Sequence, residues 1–86
     1  MSARVLVIDD GPQIRRFLRI SLAASGYGVA EAETAAEGVA AAAAEPPDLV
    51  VLDLGLPDRD GQEVISEIRA ASPVPIIVLS VRADEF

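Results

Sequence analysis

The chain has 86 residues, enough for one small domain, and its 14 acidic against 7 basic residues give a net charge of −7, which argues against nucleic-acid binding through this segment. Cysteine and histidine are absent, which excludes disulfides, thiolate zinc sites, imidazole bases and histidine metal ligands; any chemistry must rest on carboxylates, hydroxyls and backbone groups. No apolar run approaches the roughly 20 residues that span a bilayer, and the N-terminus lacks a signal-peptide pattern, so the expected location is the cytoplasm, away from membranes.

Arg4 to Ile8 is a short aliphatic run that stops at Asp9-Asp10-Gly11-Pro12, the pattern of a buried strand ending in a polar turn. From Pro12 the period becomes helical, with Ile14, Phe17, Leu18 and Leu22 expected on one inward face and Gly26 at the end. Tyr27 to Ala32 reads as a weaker strand. Thr34-Ala35-Ala36-Glu37 has capping-box spacing, and the alanine-rich stretch after it favours a helix that Pro46-Pro47 stops. Leu49 to Leu52 is the next apolar strand, ending at Asp53. After the loop through Gly61, Asp60 is placed to cap a helix whose Val64, Ile65 and Ile68 face inward. Pro73 and Pro75 frame a last strand, Ile76 to Leu79, which reaches Ser80.

Continuous apolar strands alternating with amphipathic helices predict an α/β fold, a doubly wound parallel sheet covered on both faces. In such sheets the functional crevice lies outside the carboxyl ends of the strands. Three of the four strands end in Asp9-Asp10, Asp53 and Ser80, so three carboxylates and a hydroxyl are expected to converge. Each residue alone is explained as a turn or cap. Together they are harder to explain that way, and two readings stand side by side, ordinary turn residues or an acidic cation site, since crowded carboxylates repel and coexist only with protons or a cation. Oxygen donors with room for water suit Mg²⁺ or Mn²⁺, and such an ion beside a nucleophilic carboxylate suits phosphoryl transfer.

Spacing narrows this further. Asp53 is followed by Pro57 and Gly61 in Leu49-Val50-Val51-Leu52-Asp53-Leu54-Gly55-Leu56-Pro57-Asp58-Arg59-Asp60-Gly61, which resembles the phosphoacceptor region of two-component receiver domains. Val7-Ile8-Asp9-Asp10 resembles their acidic pair, and Pro75-Ile76-Ile77-Val78-Leu79-Ser80 the strand that ends in their switch hydroxyl. Arg15-Arg16-Phe17-Leu18-Arg19, Leu54-Gly55-Leu56-Pro57-Asp58 and Leu79-Ser80-Val81-Arg82 are similar to the KdpE-type regulators of potassium-transport operons, within the OmpR-type subfamily.

The resemblance implies a CheY- and flavodoxin-like fold and a role for each motif residue. Asp53 would accept the phosphoryl group from a sensor histidine kinase. Asp10 would bind Mg²⁺ directly, Asp9 mostly through water, and Gly55 through its backbone carbonyl. Ser80 would bond a phosphate oxygen and report phosphorylation. Arg15, Arg16 and Arg19 would form a basic patch on a helix that docks on the kinase in this family, or simply a solvated helix face.

Two departures stand against the family pattern. Such domains place a lysine after a fifth strand, whereas this sequence has no lysine and is expected to be a receiver domain over residues 1–86 that is incomplete after the fourth strand. Losing a charge-assisted contact to the phosphoryl oxygens is expected to remove about 2–4 kcal/mol of transition-state stabilisation. The fourth strand would also become an apolar edge, which suggests a homodimer or strand-swapped oligomer.

Other readings are separable. An aspartate-nucleophile phosphohydrolase would want a second Asp two residues after the nucleophile, and position 55 is Gly. A flavodoxin-like cofactor binder would want a glycine- or hydroxyl-rich phosphate loop where this chain is acidic. A degenerate receiver acting only as an interaction module fits the missing lysine but not the intact acidic triad.

Overall fold

A computed structural model of the protein describes residues 3–79. Four strands, β1 (Arg4–Ile8), β2 (Gly28–Ala32), β3 (Leu49–Asp53) and β4 (Ile76–Leu79), alternate with three helices, α1 (Pro12–Ala24), α2 (Ala35–Ala44) and α3 (Gly61–Ala71). All the strand pairs are parallel and the spatial order is β2-β1-β3-β4. The expected doubly wound sheet is therefore present, with β1 and β3 at its centre.

Side-chain alternation divides the two central strands between two cores. Leu6, Ile8, Val50 and Leu52 point to one face, where they pack with Ala35 of α2 and Val64 and Ile68 of α3. Val5, Val7 and Val51 point to the other face, against Leu18 and Leu22 of α1. Each fully buried aliphatic side chain of this kind contributes roughly 1.5–3 kcal/mol.

The helix ends follow the local chemistry of the sequence. Gly26, at φ +92°, closes α1: its N–H donates to the Ala23 carbonyl while the Tyr27 N–H donates to that of Leu22. Thr34 Oγ1 accepts the Glu37 N–H at 3.1 Å, and Glu37 accepts in return from the Glu33 N–H, one residue before the cap. Asp60 accepts from the Gln62 N–H and starts α3. Gly38 of α2 lies against β1 so closely that a Cβ there would sit 2.5 Å from Ile8 Cδ1.

The inward face of α1 differs from the expectation. Leu18 and Leu22 do pack on the sheet, but Ile14 is 37% and Phe17 64% exposed. The third side chain drawn inward is Arg15, one turn before Leu18, where Glu31 of β2 and Glu33 just after the strand present carboxylates to the helix.

Candidate functional site

Register builds the site. Ile8 pairs with Leu52 across β1 and β3, so the residues that follow each, Asp9 and Asp53, leave the sheet side by side at its carboxyl rim. One carboxylate oxygen from each of Asp9, Asp10 and Asp53 lies within 4.8 Å of the others. The three carboxylates expected at the strand ends therefore lie together. Ser80 lies outside the described residues.

The three carboxylates are held differently. Asp9 is 7% exposed, and its Oδ1 accepts the Gly11 N–H at 2.7 Å. A Cβ at Gly11 would come within 3.1 Å of that oxygen, so glycine allows the turn to close tightly around the carboxylate. Asp53 is half-buried, and its Oδ1 accepts the Gly55 N–H at 2.9 Å, which fixes the rotation of the group. Asp10 is exposed at the mouth. Burial pushes the Asp9 carboxyl above its ordinary range; the Gly11 N–H opposes this, and the neighbouring Asp53 and Asp10 carboxylates push it further up.

These donors fit a hard divalent cation. They are all oxygens, they come from two strand ends and the adjoining loop, and their mutual repulsion is what such a charge relieves. Gly55 sits beside the cluster, where a Cβ would lie 3.5 Å from Asp53 Oδ1.

Three contacts around the site were not read from the sequence. Asp58, assigned there to a loop, accepts hydrogen bonds from the Ala35 and Ala36 N–H groups at 2.9 and 3.1 Å, and so ties the loop after Asp53 to the start of α2. The Ala35 N–H, partly opposed by desolvation, holds its carboxyl below the usual range. Gly61 packs so tightly on Leu54 that a Cβ would lie 2.9 Å from the Leu54 Cα. Arg15 donates through Nη1 to the Asp9 carbonyl at 2.9 Å and pairs with Glu31 and Glu33. Arg19 also pairs with Glu31, at 3.0 Å. The arginines of α1 therefore form no simple basic patch: Arg15 is turned into the domain, Arg19 is bridged to β2, and Arg16 is exposed.

Comparison with known proteins identifies the family and agrees with the fold. The response regulator receiver domain family matches residues 5–86. The chain is 53% identical over 81 residues to the KDP operon transcriptional regulatory protein KdpE of Escherichia coli K12, covering 94% of this chain and 36% of that protein. It is 55% identical over 80 residues to the transcriptional regulatory protein KdpE of Mycobacterium tuberculosis, covering 93% and 35%. The chain thus spans about a third of the length of these curated relatives. Among solved structures, the response regulator TrrA of Thermotoga maritima, in complex with Mg²⁺ and BeF, aligns with a TM-score of 0.87 at 36% identity, over 98% of this chain and 73% of that one. A CheY-like receiver domain protein of Methanospirillum hungatei aligns with a TM-score of 0.93 at 31% identity, over 96% and 67%. Among the described residues, no helix is long and apolar enough to cross a membrane. The family match over nearly the whole chain, on a sheet of the matching fold, establishes that this chain belongs to the response regulator receiver domains.

Proposed function

We propose that Asp53 accepts a phosphoryl group from the phosphohistidine of a sensor kinase, in a site where Asp9, Asp10, Asp53 and the Gly55 carbonyl hold Mg²⁺. The observation that carries this is the gathering of the three carboxylates at the carboxyl rim of the sheet. A carboxylate oxygen of Asp53 forms the new bond to phosphorus while the bond from phosphorus to the imidazole nitrogen breaks, and that nitrogen keeps the electron pair. Bound Mg²⁺ supplies the charge neutralisation that lets an anionic phosphoryl group approach an anionic nucleophile. The Gly55 N–H sets the rotation of the Asp53 carboxylate, and the Gly11 N–H does the same for Asp9. Ser80 is the switch hydroxyl in this reading.

The two KdpE relatives are transcriptional regulators by name, which supports a KdpE-type role in controlling transcription through parts of a longer protein. Among the described residues β4 is an edge strand, and its exposed Ile77 and Val78, at 51% and 39%, support pairing with a second copy. A concentration-dependent dimer in sedimentation is the expected result, and a monomer at all concentrations overturns it.

The 86 residues include no lysine to contact the phosphoryl oxygens, so phosphorylation of this chain by a small phosphodonor should be slow. Labelling should require Mg²⁺ and vanish in Asp53→Asn. Labelling that survives in Asp53→Asn sinks the assignment of the nucleophile. Rapid Asp53-dependent labelling sinks only the inference from the absent lysine.

A further inference from the structure

The backbone of Asp9 is clamped from two sides. Its N–H donates to the Ala32 carbonyl at 3.0 Å, which extends the β1–β2 ladder by one bond. Its carbonyl lies beyond the last ladder pair, and there the Arg15 guanidinium takes over, through Nη1 at 2.9 Å. The same guanidinium is held by Glu31 at 3.4 Å through Nε and by Glu33 at 3.7 Å through Nη2, so its planar fork meets three oxygens at once. Only 15% of the side chain is exposed. An arginine on an amphipathic helix normally extends into solvent; this one occupies a place in the helix's inward stripe beside Leu18 and Leu22. Asp9 is thus fixed at its N–H by β2, at its carboxylate by Gly11 and at its carbonyl by α1.

We infer that Arg15 is a positioning residue for the cation site: by bonding the Asp9 carbonyl while anchored on Glu31 and Glu33, it sets the geometry of the acidic pair that Mg²⁺ requires. The inference rests on the phosphoacceptor reading above. Its consequence is specific, because Mg²⁺ demands a near-ideal octahedron at about 2.0–2.1 Å whereas Ca²⁺ accepts irregular shells at about 2.3–2.6 Å. Loosening the pair therefore harms Mg²⁺ binding more than Ca²⁺ binding. Removal of a nearby positive charge, acting through the field alone, would instead strengthen both divalent ions together. A purely structural arginine would lower thermal stability and leave the ratio of the two affinities unchanged.

The test is a titration of the 86-residue chain with Mg²⁺ alone and with Ca²⁺ alone at fixed ionic strength, following the Gly11 and Gly55 amide resonances. Arg15→Met should weaken Mg²⁺ binding about tenfold and Ca²⁺ binding less than about threefold, as the difference in geometric tolerance requires. Arg15→Lys keeps the charge but loses the fork, so its Mg²⁺/Ca²⁺ ratio should fall between those of the wild type and Arg15→Met. Equal changes for both ions, or no change, overturn the inference. If Arg15→Met does not fold, the lysine variant decides: a lowered ratio supports positioning and a wild-type ratio overturns it. A wild-type chain with no saturable Mg²⁺ response overturns the underlying site assignment, whereas a wild-type response lost in Asp10→Asn alongside unaltered Arg15 variants overturns the positioning role alone.

Discussion

Asp9 is a carboxylate whose burial opposes its charge. Its folded pKa is raised above the unfolded value, chiefly by burial, so the native state holds the proton more tightly than the unfolded chain does. The sign follows from linkage: the contribution to stability is fully present below the unfolded pKa, near 3.8, and is lost as pH rises through the folded value. Asp9→Asn removes that loss. We expect this variant to melt at a higher temperature than the wild type at pH 7 without metal, with the difference shrinking toward pH 3; a lower melting temperature at pH 7 counts against the reading. Asp58 behaves oppositely. Its pKa is lowered, first by the Ala35 N–H, so its contribution exists above the unfolded pKa and fades as pH falls through the depressed value. Asp58→Ala should therefore lower stability at pH 7 and flatten the acid limb of the stability curve between the ordinary aspartate range and the depressed value, where the wild-type contribution is lost. The carboxylates of the site were legible in the sequence because each ends a strand or begins the turn after one. Arg15 was not, because nothing local to α1 shows that Glu31 and Glu33, contributed by β2 and the residues after it, will draw its head inward.

At the scale of single elements, α2 concentrates several dependencies in one short helix. Its N-terminus is satisfied by Thr34 from its own segment and by Asp58 from the loop after Asp53. The first contact is readable as a capping box, whereas the second joins residues far apart in sequence and needs the tertiary fold. Thr34→Ala should destabilise the domain by about 1 kcal/mol, measured by urea unfolding. The middle of the helix depends on Gly38, where only hydrogen separates the backbone from Ile8. Gly38→Ala gains helix propensity of about 1 kcal/mol in isolation, yet should be net destabilising by roughly 1–3 kcal/mol because the added methyl overlaps Ile8. Ile8→Val removes the nearest overlapping atom, so the double variant should lose less than the sum of the two singles; strict additivity would show that the overlap is relieved elsewhere. The inward face of α1 shows the limit of periodicity. Hydrophobic spacing marks both Ile14 and Phe17 as core, but among the described residues this helix meets a buried cluster of Val5, Val7 and Val51, on which Leu18 and Leu22 pack.

Over the whole molecule, the parallel order was legible because buried strands alternate with helices and because right-handed crossovers leave few arrangements. Chelation should act globally on stability, since an ion bound only by the native state stabilises it by about 2.7 kcal/mol at a hundred times its dissociation constant. EDTA should return the midpoint of a Mg²⁺-saturated sample to the apo value, and Asp53→Asn should make it insensitive to the ion. The interleaved strand order also constrains how the chain acquires its shape. β1 is made first but gains its second neighbour only when β3 arrives, beyond β2 and two helices. Docking β3 on β1 brings Asp53 against Asp9 and Asp10, so the electrostatic opposition among them works against that docking. A divalent cation present during refolding would then quicken that docking as well as strengthen its product, and Asn at position 53 would make refolding fast whether or not the ion is there.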